Sequence, residues 1–373
     1  MTGKKIIREK GYKFRLYPNK KQKILINKSV GCTRYIYNHF LAKAKEDKYK
    51  TYTEYSKQLT KLKRELMWLK EPDKFALQNA LKDLDKAFNN FFSGKYDFPQ
   101  FKSKKNIKNS YRTNKFVRKS GTTNIEIKDN KIKLPKLGWV KFSKSQKVKG
   151  KILNVTVTKT NTDKYFISIA VKEEIKKFSE VDKKIGIDLG LKEFAITSDG
   201  EKKANPRILN KYEKKIARLN RSLARKEKGS NNWYKTKKKL ARVHEKIANI
   251  RLDFLHKFST KLIEENQLIA VETLEVKNML KNSNLAKSIS DVSWSKFIEL
   301  LSYKAKWYGR DLIKIDTFFA SSQLCNNCGY KNEKVKDLKI RKWKCPECGE
   351  VHDRDINASK NILCEGLKIK RAS

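Results

Sequence analysis

The sequence is short of acid. Against 89 lysines and arginines stand 40 aspartates and glutamates, giving a formal charge of +49 and a pI near 10. A compact chain with such an excess repels itself, and a polyanion is the partner that relieves this over tens of charges, so nucleic acid is the expected ligand. The sequence also lacks any run approaching the roughly 18 apolar residues of a membrane span. Its positive charge is spread along the chain instead of being gathered in one amphipathic segment, which argues against a membrane surface as well. No internal repeat is visible. Cysteine is scarce, six in 373 residues, and with no secretory leader recognisable the thiols are expected to stay reduced rather than form a disulfide framework. Bulky side chains are not scarce. With 15 Tyr, 18 Phe and 6 Trp wholesale disorder is excluded, and the length predicts roughly two to four structural units.

Four of the six cysteines form one pattern: Cys325-x-x-Cys328, sixteen residues, then Cys345-x-x-Cys348. Two such knuckles bring four thiolates to one tetrahedral ion, and the intervening length suits a short hairpin, so the spacing predicts a structural zinc ribbon. Gly329 and Gly349 follow the knuckles and supply the backbone freedom of a tight turn. A closed coordination shell leaves no position for catalysis, so the importance of the ribbon is positional. It fixes the segment His352-Asp353-Arg354-Asp355-Ile356-Asn357 that follows. Cys32 and Cys364 stand alone in helical-looking segments and read as apolar filling.

Residues 11–17 alternate apolar and basic up to Pro18 and predict a strand. Helical periodicity then predicts helices over 20–46, 53–69 and 73–92, with Ile24, Leu25, Val30, Tyr35, Ile36 and Phe40 in the first stripe. After Gly94 comes a basic, aromatic, irregular segment, and a β-rich unit is expected over about 110–172, completed by the first strand. Its hairpins turn at Asp129-Asn130 and at Asn161-Thr162-Asp163. From Lys183 on, two strands (KIGIDLG and FAITS) lead to a long helical stretch over about 208–265, broken at Gly229-Ser230-Asn231-Asn232. Between Arg207 and Lys246 it carries 15 basic against 3 acidic residues. Too few acids are present to pair along the helix, so a phosphate-facing hairpin is favoured over a merely solvated one. A strand over 268–274, a helix over 294–308, a strand over 312–320 and a closing helix over 354–365 complete the pattern.

Asp188 ends one apolar strand and Glu272 another. Either acid alone reads as a satisfied strand-end carboxylate, but together with Asp355 they form the oxygen-rich set that suits Mg2+ ions. Two such ions about 4 Å apart promote in-line cleavage of a phosphodiester.

The segments G-I-D-L-G, A-V-E-T-L, S-S-Q-L-C-N-N-C-G-Y and D-R-D-I-N-A-S-K-N-I, in this order, resemble the RuvC-like nuclease domain of the TnpB (OrfB) proteins of insertion sequences, relatives of type V CRISPR effectors. The N-terminal K-F-R-L-Y-P-N-K-K-Q and G-C-T-R-Y-I-Y-N, and the later F-P-Q-F-K-S-K, extend the likeness over essentially the full chain. The resemblance implies an α/β multidomain fold. An RNase H-like (RuvC) domain over 181–323 and 350–373, with the inserted helical hairpin and a zinc ribbon over 324–349, would follow a β-barrel wedge domain over 1–19 and 93–180 that carries a helical recognition domain over 20–92. It implies Asp188, Glu272 and Asp355 as the catalytic Mg2+ ligands and Cys325, Cys328, Cys345 and Cys348 as the zinc ligands. The family pattern takes the second aspartate of D-R-D, Asp355, and leaves Asp353 as a supporting or helix-capping acid. Arg354 is expected either at the scissile phosphate or paired with a neighbouring acid.

The implied activity is RNA-guided cleavage of double-stranded DNA beside a short adjacent motif, by a cytoplasmic, nucleoid-associated prokaryotic protein. The guide RNA, which comes from the transposon end, enters this reading from the resemblance alone. Lys102, Lys104 and Lys105 are expected against that RNA, and Arg218, Arg221 and Arg225 against the guide–target duplex; a monomer is favoured. A DNA transposase would use the same carboxylates for strand transfer and differ in its products. A non-catalytic RNA-guided regulator would have lost a triad acid, and none is lost.

Overall fold

The computed structural model describes residues 5–104, 109–279, 281–337 and 339–372. Lys105 lies outside them. The chain divides into two compact units, Ile7–Glu174 and a second that combines Ile175 onward with the residues up to Ile6, so the start of β1 belongs to the second. None of the described helices is long and apolar enough to cross a membrane.

In the first unit β1 (Lys5–Tyr17) starts six residues earlier than its alternation predicts and buries Tyr12, Phe14 and Leu16 on one face. Pro18 ends it. Asn19 then caps α1 (Lys20–Glu46) through a reciprocal pair: its Oδ1 accepts from the Gln22 N–H at 2.9 Å, and Gln22 Oε1 accepts from the Asn19 N–H at 3.0 Å. Thr51 and Glu54 cap α2 (Tyr52–Glu65) in the same way. That helix stops before the expected 69, and Met67–Lys70 form a tighter 3-10 turn instead. With α3 (Lys74–Phe92) these helices bury Ile36, Phe40, Leu59, Leu77, Leu81 and Phe88 together. Ile24, placed in the first stripe by spacing, is 57% exposed.

The strands β2 (Asn109–Asn114), β3 (Glu126–Lys128), β4 (Lys131–Leu134), β5 (Gly138–Phe142), β6 (Lys151–Lys159) and β7 (Tyr165–Lys176) join β1 in one seven-stranded sheet of order β2-β6-β7-β1-β5-β4-β3. Both expected hairpins are present. Ile127 pairs with Ile132 around a left-handed Asp129, and Lys159 with Tyr165 around a left-handed Asp163.

The second unit holds a five-stranded sheet of order β10-β9-β8-β11-β12, made by β8 (Lys184–Leu189), β9 (Glu193–Thr197), β10 (Lys202–Ala204), β11 (Leu268–Glu272) and β12 (Asp311–Ile315). The inserted helices are α4 (Ile208–Ala224) and α5 (Asn231–Glu265); α6 (Val276–Met279), α7 (Ser283–Val292) and α8 (Trp294–Tyr308) follow β11. Strands β8, β11 and β12 run parallel, the arrangement in which both faces are covered and the strands read as nearly continuous apolar runs. On one face Ile185, Ile187, Ile269 and Val271 pack against α5 and α8. On the other, Leu268, Ala270 and Ile315 meet Ile362 of the closing helix α9 (Arg354–Ala372). Before it come the short ribbon strands β13 (Lys342–Lys344) and β14 (Val351–Asp353).

Two expectations miss here for identifiable reasons. β12 ends at Ile315 instead of 320, because the Asp316 carboxylate captures the Phe318 N–H at 2.7 Å and turns the chain. α9 runs to Ala372 instead of 365. Gly366 does not stop it; a Cβ there would sit 2.6 Å from the Ala270 Cβ, so this glycine lets the helix lie close on β11.

Gly186 does the same for β8. An added Cβ would lie 2.1 Å from the Ser359 carbonyl oxygen and 2.7 Å from the Leu363 nitrogen, both backbone atoms of α9 that cannot swing aside. Gly186→Ala should therefore lower stability by about 1–3 kcal/mol through overpacking, whereas Gly31→Ala in α1, with no atom within 4 Å of the new methyl, should stabilise by about 0.5–1 kcal/mol. Denaturant titration of both variants checks the contrast.

Candidate active site and metal centre

Side chains alternate across a strand, so Gly186 and Asp188 share one face of β8, and Ala270 and Glu272 share one face of β11. Both are the face that α9 covers. The register that pairs Val271 with Ile187 puts Glu272 level with Asp188 at the carboxyl ends of these neighbouring parallel strands. Asp355, in the first turn of α9, completes the group. Burial raises the Asp188 carboxyl to about 8, and the negative charges of Glu272 and then Asp355 add to the effect against the opposing Arg354 guanidinium. Glu272 is raised as well, by burial, while the hydroxyl of Ser321, which donates to its Oε1 at 2.6 Å, works the other way. The negative charges around Asp188 favour a bound proton or a bound cation at its carboxyl.

Asp353 stands apart in role. Its Oδ1 accepts from the Asp355 N–H at 3.1 Å and the Ile356 N–H at 3.2 Å, and its Oδ2 from Lys202 Nζ at 2.8 Å. Burial alone would raise its carboxyl, but the Lys202 ammonium and these two N–H groups hold it below the usual range. It is the capping acid of α9. Among the described residues, the side-chain contact to Asp355 from outside the cluster is a long one, Arg341 Nη1 at 3.4 Å from both oxygens. Arg354 is 7% exposed, and its Nη1 donates to the Asp337 carbonyl at 3.1 Å. It is a buried cation beside the carboxylates instead of an open phosphate-binding side chain.

The ribbon is tied to this helix by asparagines whose partners lie far away in sequence. Asn357 Nδ2 donates to the Leu324 carbonyl at 2.6 Å, and its Oδ1 accepts from the Asn326 N–H at 3.0 Å. One turn on, Asn361 Nδ2 donates to the carbonyls of Ser321 at 2.8 Å and Leu324 at 2.7 Å. The same clamp thus holds the first cysteine knuckle and the Ser321 that touches Glu272. The four cysteine sulfurs lie within 4.8 Å of one another, with Cys325 to Cys348 at 3.7 Å and Cys328 to Cys345 at 3.6 Å. Four thiolates around zinc at about 2.3 Å have tetrahedral edges of about 3.8 Å, so the donor set fits. His352 Nε2 lies 3.0 Å from Cys325 Sγ and supports that knuckle from β14.

Among the residues expected to touch nucleic acid, Arg218, Arg221 and Arg225 are exposed on α4 and its C-cap. Arg218 and Arg225 line an open cleft of about 650 Å3 with Lys215, Lys239, Arg242 and Lys246. The base of this hairpin is anchored by Asp291 of α7, which takes Arg251 Nη2 at 2.5 Å and the Leu209 N–H at 3.0 Å. Lys304 of α8 is buried, with Nζ donating to the His256 carbonyl, Ser259 and Thr260 of α5 at 2.6–2.9 Å. Lys104 is exposed, but Lys102 is not simply presented to solvent: its ammonium lies 3.7 Å from the centre of the Tyr37 ring.

Family models match along the chain: a helix-turn-helix domain of OrfB of IS605 over 8–52, the model described as "Probable transposase", again OrfB of IS605, over 166–283, and a Cas12f1-like TNB domain over 294–362. A "Putative RNA-guided DNA endonuclease" of Streptomyces pristinaespiralis is 36% identical over 96% of this chain and 90% of its own length. The "Putative RNA-guided DNA endonuclease InsQ" of Escherichia coli K12 is 34% identical over 96% of this chain and 92% of its own. The chain belongs to the TnpB (OrfB) family. A Cas12f1 chain, solved by cryo-electron microscopy in complex with an sgRNA and target DNA, superposes with a TM-score of 0.62 at 14% identity, over 96% of this chain and 99% of its own; this establishes likeness of fold. In this TnpB protein the transposase model spans Asp188 and Glu272, and the TNB model spans the four cysteines and Asp355. The helix-turn-helix description does not fit residues 8–52, which hold most of β1, the 27-residue α1 and the loop that follows.

Because bound metal at a four-thiolate site contributes directly to folding energy, Cys345→Ser should lower both zinc content and the melting temperature. Elemental analysis and a thermal melt of the purified variant check this.

Proposed function

We propose that this protein is a transposon-encoded RNA-guided endonuclease that cuts double-stranded DNA beside a short adjacent motif. The observation that carries the reading is that Asp188 and Glu272 end neighbouring strands on the face α9 covers, with Asp355 of α9 close enough for its charge to act on Asp188, in a chain whose relatives over nearly their full length are named putative RNA-guided DNA endonucleases. These three carboxylates would hold Mg2+, which when bound supplies the positive charge that promotes in-line attack of water on a phosphodiester. Ser321 keeps Glu272 aimed into the site, Asp353 fixes the first turn of α9 from which Asp355 projects, and the buried Arg354 offsets part of the local negative charge.

Cys325, Cys328, Cys345 and Cys348 would hold one structural zinc ion, which keeps the ribbon on α9. Residues 20–92 would serve recognition, and residues 1–19 with 93–180 would form the wedge, its sheet closing as a barrel. The basic segment around Lys102, Lys104 and Lys105 would meet the guide RNA, and Arg218, Arg221 and Arg225 the guide–target duplex. In such a system base pairing reads the sequence and protein reads duplex shape and the adjacent motif. The two relatives named above are bacterial, which supports a prokaryotic protein, and the charge of +49 suits one in the cytoplasm associated with the nucleoid.

The description of one matching model as a transposase favours a second reading, strand transfer by the same carboxylates. The products separate the two: free breaks or joined ends. Asp188→Ala, Glu272→Ala and Asp355→Ala should each reduce cleavage by about three orders of magnitude or more while leaving target binding within about twofold. Asp353→Ala removes a helix cap worth about 0.5–2 kcal/mol and should cost only about tenfold. Single-turnover cleavage in Mg2+ beside a binding titration measures both.

A further inference from the structure

Phe318 is 88% exposed, the most exposed large apolar side chain among the described residues. Its neighbour Phe319 packs with Ile313, Leu363 and Leu367 against α9. The loop that carries both is held in shape: Asp316 Oδ1 accepts the Phe318 N–H at 2.7 Å, and the Phe319 carbonyl accepts the Ser321 N–H at 2.8 Å. The hydrogen-bonded loop thus holds an aromatic ring open to solvent, with its π-face free to stack on a ligand. Three residues on, Ser321 donates to Glu272 at 2.6 Å. Three residues span at most about 11 Å, which places the ring within one to three nucleotides of a phosphate at the carboxylates. Glu272 also lines a cleft of about 250 Å3 with Lys314, which lies on the strand that leads into this loop.

We propose that Phe318 is a stacking platform for a nucleobase of the DNA strand entering the active site, setting the position of the scissile phosphate. This rests on the endonuclease reading and adds to it a base-contacting subsite. Stacking on an aromatic ring tolerates any base because each has a π-face, so the platform would position the strand without reading its sequence.

The test uses the protein copurified with its RNA and duplexes matched to that RNA, each carrying one abasic nucleotide at successive positions about the cut. Phe318→Ala should slow single-turnover cleavage roughly tenfold with target binding and melting temperature unchanged. Phe318→Trp should restore the rate and Phe318→Leu should not. At one position the missing base should slow the wild type by a similar factor and slow Phe318→Ala no further. Equal rates for wild type and Phe318→Ala, rescue by leucine, or additive effects at every abasic position would overturn the proposal. A second measurement needs no cleavage: in Asp355→Ala, 5-iodouracil at the mapped position should photocrosslink to Phe318. A crosslink in a protein whose wild type does not cut would retain the platform and remove the endonuclease reading, and absence of the crosslink would remove the platform.

Discussion

How closely α9 lies on the sheet is set by two residues without side chains, Gly186 on β8 and Gly366 on α9 itself. The candidate site follows from that approach. Asp188 and Glu272 sit at the ends of their strands on the face α9 covers, and Asp355 reaches them only if the first turn of the helix lies down on β8. Burial raises the carboxyls of Asp188 and Glu272, and the negative charges of Glu272 and Asp355 raise Asp188 further. An arrangement unfavourable when empty of counter-charge is one that a divalent cation improves, which links packing to chemistry through a single helix.

The ribbon extends this logic outward. Its closed thiolate shell does no chemistry, yet Asn357 and Asn361 bind the first knuckle to successive turns of α9, and the latter also holds the backbone of Ser321. Ser321 in turn aims Glu272. The first knuckle, Asn357, Asn361, Ser321 and Glu272 are therefore linked through one set of contacts on α9, and such networks lose more than one contact when one member goes.

The strand-end placing of Asp188 and Glu272 and the clustering of the four cysteines are legible in the sequence because their signals are local: an acid closing an apolar strand, or two thiols at knuckle spacing. Most helices and both hairpins of the first unit are legible for the same reason, since periodicity and turn residues act over a few positions. The limits of β12 and α9 are not, because one depends on the Asp316 side chain capturing a backbone N–H and the other on a glycine that packs against Ala270 instead of ending a helix. Nor could composition separate surface cations from those with internal work. Lys304 is buried among α5 acceptors and Arg354 beneath the ribbon, while Arg218 and Arg225 line an open cleft. Ser321, Arg341 and Asn326 were missed because their partners at the site are 14 to 49 residues away.

The charge of +49 exceeds what a single DNA contact neutralises, since a specific interface takes on the order of ten phosphates. On the proposed reading, a folded RNA carried by the protein would account for the remainder and would choose the target. The most direct measurement is cleavage of two plasmids by protein from which the RNA has been stripped and then replaced by one whose 3′ guide segment matches only the second. The account predicts no cutting by the stripped protein and cutting of the second plasmid alone after reconstitution. Sequence-independent cutting by the RNA-free protein would contradict it.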